Sequence, residues 1–426
     1  MSQFKIPTQS FYKSEISQKS EQLTTYLAYR MTDNEEFIKS LKILMIVSGF
    51  WKKPIKDFLA INKIYYVYFI LSKLLMVVFC FELFFGLLQH VMKRSDTQII
   101  ISSAGVLITC VVITFKGYIC IKRRLIENLD EVVKYESEIS KTDDQEIKKA
   151  YMDKAQLSNI MCIVQALVQC CASVALFYLG ITGDQALIEY NRIHNTSIDS
   201  PYWYQIWFPA TKLDHLIIIY GLNGLFCIYA SLSNIVAHSI IATLMIFAAT
   251  QLQILNIKLK KFIKDVDDNL DHKTIELKRY VKQHQDLIKY VNVLNNKVNI
   301  IILMHFLLNS IEISFCITGL SKNTLTSQRV FLITYINVVI YQLFMTSWNA
   351  NEIIEQSTAI SDAIYASNWH LLDKEGKVIC QIVMQRAQRP LQLTIGPFGP
   401  MTNRSGLLVI KAAYSYFSLM NGGYSN

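Results

Sequence analysis

Seven stretches of this 426-residue chain stay apolar for about the thickness of a bilayer. A helix needs roughly 20 predominantly apolar residues to cross the hydrocarbon, and lipid offers no partner to an exposed peptide group. The stretches are 64–88, 99–121, 158–181, 216–250, 298–320, 330–348 and 407–420, the last of them short. They are blocks, not alternating segments of about ten residues, which excludes an outer-membrane barrel. Composition agrees: the chain is 18% charged, where soluble chains carry about 25%. The expected fold is an all-α membrane protein with seven transmembrane helices. Intrinsic disorder and a small disulfide scaffold are excluded.

Charge sets the expected direction. Of the 42 Lys and Arg, 33 lie in residues 1–63, 122–157, 251–297 and 349–406, and six lie in 89–98, 182–215 and 321–329. The positive-inside rule puts the first set, and so the N-terminus, in the cytoplasm. Seven crossings then put the C-terminus outside. The net charge of +9 is thus an orientation signal, with lipid and no nucleic acid as the expected surroundings. Asn195-Thr196-Ser197 is an N-glycosylation acceptor in an expected outer loop, so Asn195 is the expected glycan site; Asn403-Arg404-Ser405 falls inside. The first 35 residues are polar, so no cleavable signal is expected and the first span serves as its own insertion signal. Of nine cysteines none lies in the three outer loops and no CxxC occurs, which favours reduced, buried thiols over bridges or a metal site.

The polar segments carry helical periodicity too. Residues 35–51 are amphipathic and read as a short pre-helix at the membrane interface. Residues 123–154 read as helix, with Leu125, Leu129, Val132 and Val133 on its apolar side. Through 251–297 the pattern continues at Leu252, Leu255, Leu259 and Phe262, then at Ile275, Leu277, Val281, Leu287 and Val291. Helices four and five therefore extend as stalks that need a packing partner, such as other copies in an assembly. All seven prolines lie outside the first six spans, so no broken helix builds a transporter-type midplane site.

Charges within spans are site candidates because the bilayer penalises them: Lys73, Glu82, Glu312 and Lys411. Glu312 lies seven residues after His305, on the same helical face, and the pair reads either as a shared polar lining or as satisfied interhelical contacts. Asp265, Asp267, Asn269 and Glu276 match a calcium loop, but Leu270 stands where the turn needs glycine, so a solvated helix surface is the better reading. No zinc-protease, phosphate-loop or nucleophile-elbow spacing occurs, so catalysis, cofactor and metal have no support. The outer halves of spans two to six hold Ser103, Cys171, Val174, Phe177, Tyr178, Tyr220, Asn223, Phe315 and Tyr335. As a group these suit an apolar cavity with a few orienting polar groups; singly, each is as well explained by helix packing.

The ends of the chain carry more specific patterns. Arg389-Pro390-Leu391-Gln392-Leu393-Thr394-Ile395-Gly396-Pro397-Phe398, followed by Lys411-Ala412-Ala413-Tyr414-Ser415-Tyr416-Phe417, resembles the C-terminal signature of insect odorant receptors. Tyr365 with Trp369 resembles that family's Tyr-x-x-x-Trp stretch, and Gly49-Phe50-Trp51 its Gly-x-Trp-Pro element, although two lysines here separate Trp51 from Pro54. The resemblance implies an odorant-gated, non-selective cation channel of four subunits, in which small hydrophobic volatiles bind among helices two to six. It implies a last helix split into a cytoplasmic anchor part (349–404) and a pore-lining part (405–426), with a gate near Leu419 and with Ser415 and Gly423 one turn away. Asn421-Gly422-Gly423 stands where the family's co-receptor commonly has a more apolar end. The short segment between helices four and five, where the co-receptor carries a long insertion, implies an odorant-tuning subunit that pairs with the co-receptor; the alternatives are a homotetrameric channel working alone and, from another class, a G-protein-coupled-type receptor. The resulting division is 1–63, a cytoplasmic segment with the pre-helix; 64–348, a six-helix ligand-binding bundle with stalks at 251–297; then the anchor and the pore helix.

Overall fold

The computed structural model describes residues 36–51, 59–94, 97–196, 207, 215–262, 270–321 and 326–422. Among them the fold is helical throughout, with one isolated bridge, Thr394 to Pro400, and no strand. The helices are α1 (Lys39–Val47), α2 (Leu59–Met92), α3 (Thr97–Lys122), α4 (Asn128–Ser140), α5 (Gln145–His194), α6 (Leu216–Lys261), α7 (Leu270–Ser321), α8 (Thr326–Tyr365), α9 (Lys374–Ala387) and α10 (Asn403–Gly422). Six of them, α2, α3 and α5 to α8, are long and apolar enough to cross a membrane, and they contain the first six apolar stretches. The seventh stretch forms α10, a helix of 20 residues.

Helix α6 is the axis of the molecule: its apolar window is wholly buried, packed against α5, α7 and α8 with α3 on a further side. The stalks are present. α6 runs on to Lys261 and α7 begins at Leu270, so each extends well past its apolar stretch, and their Leu252, Leu255, Leu259, Leu287, Val291 and Leu294 enter the main core with Ile353 and Ile360 of α8. The expected helix over 123–154 is in fact broken. Arg124 takes a positive φ of 53° and Asp144 caps a new helix, accepting from the amides of Glu146 and Ile147, so the chain turns twice between α3 and α5.

The pre-helix does not simply rest on the membrane surface. Phe37, Ile38, Leu41 and Met45 are buried against α4, α5 and α6, and Glu136 of α4 accepts from the amides of Glu36 and Phe37 while Tyr151 donates to it. Burial raises the Glu136 carboxyl above its usual range, against the pull of those bonds. The segment ends in a Schellman turn. Phe50 N–H bonds Met45 O at 2.8 Å, Gly49 N–H bonds Ile46 O at 3.2 Å, and Gly49 supplies the required positive φ of 68°. Helices α2 and α6 grip this turn. The hydroxyls of Tyr65, Tyr68 and Tyr229 donate to the carbonyls of Ile46, Val47 and Ser48, and Lys73 Nζ sits 3.3 Å from the centroid of the Phe50 ring. The glycine and the aromatic of the N-terminal pattern thus fasten the pre-helix to the bundle.

Candidate functional site

The end of the bundle away from the stalks holds two polar groups, Glu312 and Asn223, with unanswered hydrogen-bonding capacity. Glu312 projects from α7 between α3 and α8. Its Oε1 accepts from the hydroxyl of Tyr335 (α8) at 2.8 Å and lies 3.1 Å from the Thr109 hydroxyl (α3), which shares its proton with the Gly105 carbonyl. Glu312 remains part-exposed, and its Oε2 has no hydrogen-bond partner among the described residues. On α6, Asn223 is fully buried, and neither its amide nitrogen nor its oxygen finds a partner there. One turn along, Phe226 shares a cluster with Cys110, the neighbour of Thr109. At the far end of α6 the Tyr220 hydroxyl donates to buried Asp184 of α5 at 2.8 Å.

Deeper, toward the stalks, Lys116 of α3 is buried with two imidazoles. Its Nζ is 3.2 Å from His238 Nε2 and 3.5 Å from His305 Nδ1, the two rings are 4.3 Å apart, and His305 Nε2 is 3.1 Å from the Asn309 side-chain nitrogen. An ammonium has only donors, so both facing ring nitrogens must accept. His305 then donates from Nε2, and Asn309 answers with its amide oxygen turned toward the ring. The shared face of His305 and Glu312 is therefore real, but it carries two bonded groups, one around Lys116 and one around Tyr335.

The structure brings together only part of the expected ligand set. Ser103, Phe177, Tyr220, Asn223 and Tyr335 face the interior; a Cβ on Gly224 would stand 2.7 Å from Phe177 Cζ, so α5 and α6 touch through that ring. Cys171, Val174, Tyr178 and Phe315 lie on outward faces of the chain. Among the candidate charges, Lys73 holds the Phe50 turn, Glu82 is part-exposed on α2, and Lys411 is exposed on α10. Sequence reasoning does not single out Lys116 or Thr109; a lysine within the second span, near its inner end, was the available signal. Asn195 ends α5 in a left-handed conformation and is exposed. Ser415 is exposed on α10, while the side chain of Leu419 and all of Gly423 lie outside the described residues, as do Asp265, Asp267 and Asn269. An open cleft of about 460 Å³ between α5, α6 and α8 is lined by Glu146, Lys149, Asp153 and Lys260, chemistry unsuited to an apolar guest.

Helix α10 packs on α7 and α8 through one stripe. Val409 and Ala413 enter a cluster with Ile313, Val339 and Leu343, with Tyr335 at its edge, and a Cβ on Gly406 would stand 2.5 Å from Ser347 Oγ. Lys411, Ser415 and Ser418 share the opposite, exposed side.

These features define a polytopic helical membrane protein with polar groups held inside its bundle. Residues 96–414 match the family model of the 7tm Odorant receptor, and the chain belongs to that family. Odorant receptor 10 of Aedes albopictus is 28% identical over 313 residues, 71% of this chain and 78% of that one. The odorant receptor coreceptor of Ooceraea biroi is 24% identical over 145 residues, covering 34% of this chain and 30% of its own. The insect olfactory receptor OR5 from Machilis hrabei, solved in complex with eugenol, superposes with a TM-score of 0.68 at 17% identity, over 91% of this chain and 98% of that one, and so shares its fold. The chain is a multi-pass receptor of insect olfaction, not an enzyme.

Proposed function

We propose that this chain is the odorant-tuning subunit of a ligand-gated, non-selective cation channel in the plasma membrane of olfactory neurons, assembled as a heterotetramer with the odorant receptor co-receptor. Its N-terminus faces the cytoplasm, the stalks and residues 349–404 form the anchor of the assembly, and 405–426 form the seventh crossing and line the pore, with the gate around Leu419, Ser415 and Gly423. Small hydrophobic volatiles bind in the outer half of the bundle, near Asn223, Phe177, Ser103 and Tyr335. The 33-to-six division of cations supports the orientation, and partial relatedness to a co-receptor supports a shared architecture with the partner.

The observation that carries the reading is that α7 and α8 serve both regions. Tyr335 bonds Glu312 on one side and borders the α10 cluster on the other. A ligand shifts a channel toward opening only by binding the open form better. A group that touches both guest and pore helix is where such a preference can act. The test is whole-cell current from cells expressing this chain with and without the co-receptor during pulses of volatile mixtures, with G proteins blocked. Fast inward cation current that needs both chains is expected. Equal current without the partner would show a stand-alone channel, and silence despite surface expression would refute odorant gating.

A further inference from the structure

We propose that Glu312 is the specificity-determining residue of the odorant site and selects volatiles that carry a neutral hydrogen-bond donor, alcohols and phenols, over ethers and esters of the same skeleton. The inference rests on the odorant-gated reading above and deepens it.

Both hydroxyl donors around Glu312, from Tyr335 and Thr109, converge on Oε1. Oε2 is left with acceptor capacity and no partner among the described residues, on a side chain that stays part-exposed between three helices. A carboxylate at membrane depth is costly unless its lone pairs are answered, so a guest that donates to Oε2 gains a charge-assisted bond, while an ether oxygen meets it with repulsion. Charge balance narrows the class further. Two turns along α3 from Thr109 stands the buried Lys116, whose bonded partners are imidazoles. One ammonium and one carboxylate already offset each other, and an ammonium guest would leave a net charge in low dielectric, whereas a hydroxyl adds none. Asn223 of α6, its amide nitrogen and oxygen both unanswered, can serve a hydroxyl as well, which donates and accepts.

The experiment measures concentration–response currents from this chain with the co-receptor. The stimuli are an alkanol and a phenol, the methyl ether of each, and the primary amine of the alkanol skeleton, applied to wild type and to Glu312→Gln. In wild type the hydroxyl compound should act at concentrations about tenfold to a hundredfold below its ether, the range expected for a hydrogen bond to a charged group, and the amine should not surpass the alcohol. Glu312→Gln keeps a carbonyl for Tyr335 and Thr109 but turns a donating amide toward the guest, so the preference should narrow or invert toward the ether. Equal potency of alcohol and ether in wild type overturns the proposal even if the variant fails to reach the surface. So does an undiminished alcohol preference in Glu312→Gln. An amine preference shows that Glu312 selects cations instead. Silence toward every compound, with both chains at the surface, refutes the odorant-gated reading and this proposal with it.

Discussion

Replacing Gly49 by alanine separates two costs that the Schellman turn keeps distinct. The left-handed conformation at φ 68° costs a residue with a Cβ about 1–2 kcal/mol. The added Cβ would also stand 2.8 Å from Ser72 Oγ and 3.2 Å from Tyr68 Cε1, and overpacking of that kind costs about 1–3 kcal/mol. Gly49→Ala should therefore destabilise the receptor by about 2–5 kcal/mol. Ser72→Ala alone should cost less than Gly49→Ala, since it loses only a hydroxyl bonded to the Phe69 carbonyl of its own helix and to Tyr229. The double variant should recover the Ser72 part of the clash and retain the Tyr68 contact and the backbone component. Unfolding can be followed in detergent with a fluorogenic thiol reagent, because Cys110, Cys120, Cys162, Cys227, Cys316 and Cys380 are buried and Cys120 shares its cluster with Phe50. The midpoint of Gly49→Ala should fall by several degrees, with partial return in the double variant. A Gly49→Ala receptor that unfolds with wild type, or a double variant with no recovery, would refute the account of how the pre-helix is held.

Three further outcomes are expected. Asp144 caps α5 and pairs with Lys261 at 2.8 Å, which holds its carboxyl below the usual range; Asp144→Ala should cost about 1 kcal/mol, mostly the cap. Because the folded-state value is depressed, that contribution is present above about pH 4 and fades as pH falls through the depressed value, so wild type and variant midpoints should converge in acid. Asn195→Gln should abolish the mobility shift produced by a glycosidase, and a wild-type receptor with no shift would count against the outer placement of that loop. Asn223→Leu removes a buried amide with no partner, so its thermal midpoint should be no lower than wild type while odorant potency falls; a destabilised variant would show that the amide is bonded after all.

Block length and apolar periodicity made the helices and their stalks legible, since they follow from bilayer thickness and helical period. The facing of α5 was harder to read. Its buried stripe is Ser158, Cys162, Gln165, Gln169, Ala172 and Ala175, while Ile160, Ile163, Leu167 and Val174 point outward. In lipid, apolar side chains lose nothing by facing out, and small or polar ones gain by facing in. The aqueous habit of assigning bulky residues to the interior therefore misplaces Val174 and Tyr178. Glu312 stood out as an intramembrane charge, but its link to Thr109 required knowing that α3 lies beside α7, and no periodicity within one helix encodes that neighbour. The break at Arg124 was likewise invisible, because a positive φ at arginine leaves no mark in the sequence.

Helix α7 runs for 52 residues, about 78 Å at 1.5 Å per residue, and contains no proline. One rod thus joins the level of Glu312 to the end of the stalk. Pivoting by about 5° around the end near Glu312, it would carry its far end through roughly 7 Å, given that rise per residue. Leu287, Val291 and Leu294, buried in the main core, oppose such a sweep at the stalk. A rod held along its whole length in this way passes strain from one end to the other instead of swinging, so the stalk can act as a fixed reference for shifts beside Glu312.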